Sequence, residues 1–280
     1  MSKVKGFLFT IAAIFFASTL VFFVQGFYES NLSTEREIIS SALSLNIVSL
    51  NEDLAFDLEK LFAMNFDINS TTKSINLVGR MSPSLSISTS LSEYSSFIST
   101  KFFTRSTFDK TLNLSNLTDG KAEFFIGDKL NLDYNYGNSL ALFSTYLGYL
   151  DSFDINVQTT GTLTSYEWVN VSGSRNFPVL INYVDDSNAI VISDSIDNNS
   201  LSYLKLIYPD GNTTIEFGKV TYGGLDYDGG FVIKSKLDQV ISYNLEADYS
   251  DLNLYPVRIN SVLSVKSSDL DSNTFLTLLK

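Results

Sequence analysis

The longest apolar run of the chain is Phe7–Val24, FLFTIAAIFFASTLVFFV, which is uncharged and broken only by the hydroxyls of Thr10, Ser18 and Thr19. As a helix it would measure roughly 27 Å, close to the ~30 Å hydrocarbon thickness of a bilayer. Lys3 and Lys5 precede it, and Gln25, Gly26, Tyr28 and Glu29 follow. That asymmetry places the N-terminus in the cytoplasm and everything beyond Phe27 outside the cell membrane. The pattern predicts a stub over 1–6, a transmembrane helix over 7–27 and an external body beyond it. An apolar run longer than the h-region of a cleaved secretory signal favours a retained signal-anchor, although Val24-Gln25-Gly26 ends on a small residue and leaves cleavage open.

The pattern then changes to a stripe. Thr34-Glu35-Arg36-Glu37 reads as a capping box, preceded by a polar stretch at which the first helix would end or bend. Ile39, Leu43, Ile47, Leu50, Leu54, Leu58 and Leu61 follow in alternating steps of four and three, the period of an amphipathic helix. A membrane-proximal helix is therefore expected over 28–64, from about Glu35 to Met64. Its stripe packs on the protein's own sheet or forms a coiled-coil seam, with Glu52, Asp53, Asp57 and Glu59 solvated.

From residue 72 the period is two. Ile75/Leu77 and Leu85/Ile87 alternate with small polar residues. Ser90-Leu91-Ser92-Glu93 is a second capping box, opening a short helix with Leu91, Tyr94, Ile98 and Phe102 on one face. Leu130, Leu132, Tyr134 and Tyr136 read as a strand, as do Phe153, Ile155 and Val157. Between them, Asn138 caps a predicted helix of Leu140, Phe143, Leu147 and Leu150. After Gly161 the chain reads as nearly all β, with strands over 164–171, 178–184, 189–193, 201–208, 213–222, 231–235, 239–249 and 257–265. Tyr208-Pro209-Asp210-Gly211-Asn212 has the chemistry of a hairpin turn. Short strands at this spacing suggest a sandwich. The fold class expected is α+β: transmembrane helix, long amphipathic helix, then a mainly antiparallel, sandwich-like body with one or two short helices. A mixed region over 65–160 and a β-rich domain over 161–280 are expected within that body.

Composition narrows the chemistry. The chain of 280 residues is 44% hydrophobic, too apolar for disorder, and carries a formal charge of −12 with no basic run. Nucleic acid is not an expected partner, because phosphate neutralisation needs clustered cations. Neither Cys nor His occurs, which removes disulfides, thiolate metal sites, imidazole bases and every His-containing triad. No catalytic or cofactor-binding residue is assigned and an enzyme is not expected; catalysis by carboxylates, Ser–Lys or Tyr is left open by the composition, with a carboxylate-based extracellular hydrolase the alternative carried forward.

Acidic clusters are candidate Ca²⁺ ligands: Asp226-Tyr227-Asp228-Gly229-Gly230, with Asp226 and Asp228 foremost, Asp185-Asp186 and Asp269-Leu270-Asp271. None completes an EF-hand, and turn-forming Asp and Gly are the simpler reading. Asn-x-Ser/Thr sequons stand at Asn31, Asn69, Asn113, Asn116, Asn170, Asn198 and Asn212. Asn113, Asn116 and Asn212 are the best glycosylation candidates from their polar or turn setting.

Lys5-Gly6 followed by Phe-Leu-Phe-Thr-Ile resembles the class III signal of archaeal and bacterial type IV pilin-like surface proteins, with the sequons and lack of cysteine looking most archaeal. The resemblance covers residues 3–24. It implies cleavage between Gly6 and Phe7 with the apolar helix retained. Ile11 stands where many pilins carry Glu, an acid that helps align incoming subunits in that family. The function expected is a single-pass, membrane-anchored surface protein, structural or adhesive, within which a pilin-like or envelope-associated subunit is favoured. Its partners would be the bilayer through Phe7–Val24 and other envelope proteins or its own copies. The rival is a tethered monomeric binding module for a ligand, glycan or protein.

Overall fold

The computed structural model describes residues 2–62, 64–69, 71–82, 87–103, 109–118, 121–127, 130–135, 138–144, 150–171, 173, 176–236, 240–249, 257–266 and 271–278. Side chains in the first helix are described at 16, 18–30, 34, 45, 47–58, 60 and 61; those of 102, 109, 116, 118, 265, 266, 271–274 and 278 are not described. The chain divides into two compact units, residues 1–50 and 51–280.

The first unit is helical. The element α1 (Ser2–Leu61) supplies it, and its last turns belong to the second unit. The expected interruption near residues 28–34 is absent. Thr34 is not an N-cap: its hydroxyl donates to the Ser30 carbonyl at 3.0 Å, the i−4 bond of a threonine inside a helix. Among the described residues, no helix is long and apolar enough to cross a membrane. Gly6 and Phe7 belong to α1, and their side chains, like those of Ile39 and Leu43, lie outside the described residues.

The second unit is mostly antiparallel β. The stripe on the end of α1 is buried there at Leu54 and Leu58, while Leu61 is half-buried and Phe62, just past the helix, is buried. Asn51 fastens this turn, donating to the Phe275 carbonyl at 2.9 Å and accepting from Thr277 N at 2.7 Å. The helix stops at Leu61 rather than Met64, because Met64, Phe66 and Ile68 alternate inward as β1 (Met64–Asn69). That strand pairs with β2 (Ser74–Met81) across a turn in which Asn69 Oδ1 accepts from Thr71 N and Thr72 N. In β2, Ile75 and Leu77 are buried as their alternation predicts.

Next come α2 (Ile87–Phe97) and one π-helical turn (Ile98–Phe102). Leu91 and Ile98 are buried as expected, but the helix begins before Ser90, so Ser90 is not its cap, and Ile87 is helical rather than extended. Leu85 and Tyr136 lie outside the described residues. The remaining N-terminal elements are β3 (Asp109–Asn113), α3 (Ser115–Thr118), β4 (Lys121–Ile126), β5 (Leu130–Asn135) and β6 (Ser139–Ser144). The β6 strand replaces the helix predicted from Asn138. Leu140 to Phe143 are all buried, so a strand covered on both faces mimicked a helical stripe. Leu147 lies outside the described residues, and Leu150 opens β7 (Leu150–Thr159).

Seven of the strands predicted after residue 160 correspond closely to β8 (Ser165–Val169), β9 (Asn176–Val184), β10 (Ala189–Asp197), β11 (Leu201–Tyr208), β12 (Gly211–Tyr222), β14 (Ile241–Tyr249) and β15 (Val257–Lys266). The eighth, β13, begins earlier than expected (Leu225–Ser235), because Gly223 and Gly224, both at positive φ, make a two-residue hairpin turn. The alternation did not reveal β16 (Asp271–Leu278).

These strands form two sheets. One is ordered β1-β2-β14-β7-β9-β10, antiparallel except for the parallel pair β7 and β9. The other is ordered β16-β15-β4-β5-β6-β13-β12-β11-β8, with β3 beside β4 along β15. Both sheets mix strands from before and after residue 160. Their inner faces meet at aromatic side chains: Phe153 of the first sheet lies 5.9 Å from Phe217 and 5.6 Å from Phe231 of the second. Phe66 stacks on Phe124 at 6.5 Å, and Phe62, just after α1, meets the same ring edge-on at 5.7 Å. Gly79 is required for close approach, since a Cβ there would lie 2.3 Å from the hydroxyl of Tyr243 on the neighbouring strand.

Candidate functional site

Alternation puts every second residue of the six-stranded sheet on its outer face, and the register aligns them in rows. One row reads Asn65, Val78, Asn244, Asn156, Asn182 and Val191 from β1 to β10. The next reads Arg80, Ser242, Gln158 and Val184. A groove of about 900 Å³ lies over these two rows, with Lys60 at its side. Asn182 donates through Nδ2 to Asn156 Oδ1 at 3.0 Å, which fixes the orientation of both amides. No carboxylate lines the groove among the described residues. Side-chain amides offer donors and acceptors together but no nucleophile and no proton-transfer group near neutral pH. The amides can donate and accept hydrogen bonds, and Lys60 and Arg80 bring positive charge to the groove.

Two other polar centres are structural in their geometry. At the β9–β10 hairpin, the Asp185 carboxylate accepts from Leu163 N (2.8 Å), Ser187 N (2.7 Å), Asn188 N (2.6 Å), the Asn188 amide and the Tyr183 hydroxyl (2.9 Å). Tyr208 donates to the Tyr183 oxygen at 2.8 Å, and Thr159 lies 2.9 Å from the same atom. Burial alone would raise the Asp185 pKa, but these donors hold it well below the usual carboxylate range. On the second sheet, Glu123 of β4 and Asp133 of β5 face one another directly in register. Burial, with the Glu123 charge adding to it, pushes Asp133 up to about 6, while Lys121 pulls the other way. Glu123 accepts from Asn260 Nδ2 at 2.5 Å.

The sequence candidates fall elsewhere. Asp226 and Asp228 lie within β13, not in a loop, because the turn is made by Gly223 and Gly224. Asp226 is engaged by the Thr221 hydroxyl at 2.7 Å and by Lys219 at 3.5 Å. These partners lower its pKa, the Thr221 bond being the main cause. Asp185 is likewise committed to its own hairpin. Among the described residues, no group of three acidic side chains could hold a metal ion. Asp269 lies outside the described residues, as does the Asp271 side chain.

Asn113 ends β3 exposed, with its Oδ1 accepting from Ser115 N and the Ser115 hydroxyl. Asn116 lies in α3 with its side chain outside the described residues. Asn212 is half-buried in β12, opposite Ile207. Asn170 is exposed, while Asn198 is buried. Trp168, read as core or sheet face, is half-buried and donates to Asp194 at 3.0 Å.

In α1, Phe16, Leu20, Val21, Phe22, Phe23, Val24, Phe27 and Tyr28 are all exposed, Phe22 at 74%. Five consecutive residues of a helix span its whole circumference, so from Leu20 to Val24 it is apolar on every side. The groove's amides were not recognised from sequence. They sit on four strands drawn from positions 65 to 244, and only the register brings them together. Comparison with protein families, characterised proteins and solved structures gave no match.

Proposed function

We propose that this is a single-pass, membrane-anchored surface protein whose β-rich body acts through its surfaces, in a structural or adhesive role. The observation that carries this reading is the exposed apolar circumference of α1 from Leu20 to Val24, flanked by exposed Phe16, Phe27 and Tyr28. A helix apolar all round belongs in lipid or among other apolar helices, not in water. The Phe7–Val24 run and the preceding lysines give the orientation: N-terminus inside, body outside. Within this class a pilin-like or envelope-associated subunit is favoured. The support is the Lys5-Gly6-Phe7 signal followed by the uncharged Phe7–Val24 run.

The test is carbonate extraction of native membranes, with intact mass and N-terminal sequencing of the recovered chain. Retention in the membrane with a start at Phe7 supports prepilin-type processing. Retention with a start at Met1 or Ser2 leaves a plain signal-anchor. Release with a start near Phe27 overturns the anchor. Mass increments in hexose-sized steps would identify used sequons, with Asn113, Asn116 and Asn212 examined by peptide mapping.

A second reading is favoured by the amide-lined groove: a tethered binding module for a polar ligand. Asn156→Ala and Asn244→Ala would abolish ligand retention on a glycan array without altering membrane attachment.

A further inference from the structure

We propose that the free edge of β10 is a seam through which two copies of this chain join, antiparallel and symmetric about Val191. The inference is independent of membrane anchoring.

The edge is open by hydrogen-bond parity. In the β9–β10 hairpin, Asp185 N donates to the Asn188 carbonyl, so the even-numbered residues of β10 aim their main-chain groups at β9. The odd-numbered ones aim away. At the far end that outward side is sealed, since Asn170 Nδ2 donates to the Ser195 carbonyl and Asp197 N to the Val171 carbonyl. Ala189, Val191 and Ser193 have no such partner among the described residues, and β10 ends the sheet. Val191 is 69% exposed.

The usual protection is confined to one end of the edge, where Asp194 and Asp197 lie. Natural edge strands carry charge, proline or a bulge that discourages strand addition. Edge strand β1 has Asp67, β8 has Glu167 and β3 has Asp109 and Lys110. From Ser187 to Ser193 the sequence is SNAIVIS, without charge or proline.

Its occupant is chosen by complementarity. Pairing about Val191 sets Val191 against Val191 of the second copy and Ile190 against Ile192, an aliphatic seam on both faces. Ala189 then faces Ser193, and outward-pointing groups meet outward-pointing groups, so the ladder closes. Asn188 faces Asp194, which spares the two copies a carboxylate pair. A parallel arrangement would set Asp194 beside Asp194. In a chain of net charge −12, a neutral stretch with this symmetry fits a second copy.

The test uses the full chain in detergent. Sedimentation equilibrium up to about 200 µM should show a dimer, a range suited to a short strand interface. Val191→Lys and Val191→Pro should each weaken it by about tenfold or more. The proline removes only an outward N–H and leaves the β9 ladder intact. Thermal melts check that both variants fold. Hydrogen exchange of the wild-type chain provides a readout that needs no variant: the amides of Ala189, Val191 and Ser193 should gain protection with concentration. A wild-type monomer throughout this range, variants that associate as tightly as wild type, or no protection at these three amides would overturn the proposal. Association that persists in folded variants would place the contact on α1 or another surface.

Discussion

The β9–β10 hairpin and the β4–β5 pair each remove a carboxylate from water, with opposite results. Asp185 meets three backbone N–H groups, an amide and a phenol, and its charge is held firmly. Asp133 meets Glu123 across the strand, and its charge is resisted. The difference teaches that burial penalises both carboxylates, and that the supply of donors decides whether the penalty is offset, as at Asp185, or left standing, as at Asp133. One site locks a turn, while the other carries a standing electrostatic tension.

The strongest way to break this contrast is Asp185→Ala, which strands the N–H groups of Leu163, Ser187 and Asn188 around a missing acceptor. It should lower unfolding free energy by about 3 kcal/mol in urea titration. Because the folded pKa of Asp185 lies below its ordinary 3.8, its contribution is present above that pH. It is lost as pH falls through the folded value, so the variant should lack part of the wild-type acid-unfolding limb.

Asp133 should behave with the opposite sign. Its pKa is raised from 3.8 to about 6, so the folded state pays for the charge above pH 6 and not below pH 4. Asp133→Asn should therefore stabilise the body by about 1–2 kcal/mol at pH 8, with the gain vanishing towards pH 4. Glu123→Gln sharpens the comparison by removing the neighbouring charge alone. Burial should then keep Asp133 above 3.8 but below the wild-type value, as carboxyl NMR titration would read. The smallest effect expected is that of Asn260→Ala, which deprives Glu123 of one donor and should cost about 1 kcal/mol.

Much of the sheet framework was legible because alternation is local. The strand Leu201–Tyr208 coincides with its predicted range, and the Pro209-Asp210 turn was readable from its chemistry. What failed was local pattern under tertiary control. Leu140 to Phe143 are buried on both faces of a strand, which erases the period that separates strand from helix. Thr34-Glu35-Arg36-Glu37 has the letters of a cap, but a helix already running through it leaves no free N–H to cap. At Asp185 a usable signal was present: Asp-Asp-Ser-Asn between two apolar strands is Asx-turn chemistry, and the turn reading preferred there over a cation site agrees with its bonds to Ser187 N and Asn188 N. The groove was hidden more deeply, because no local pattern reveals that Asn65, Asn156, Asn182 and Asn244 will share one row.

The place of β14 in the first sheet has a consequence for biosynthesis. It lies between β2 and β7, joining Ser74–Met81 and Leu150–Thr159 through residues near the end of the chain. While a ribosome is still making residue 240, β2 and β7 each have a vacant side, and the hairpin β1–β2 has no strand pairing to the rest of its sheet. Closure of this sheet is therefore a late, long-range event, slow by contact order and open to capture by other strands. Until the segment Ile241–Tyr249 is delivered, the facing edges of β2 and β7 stay open.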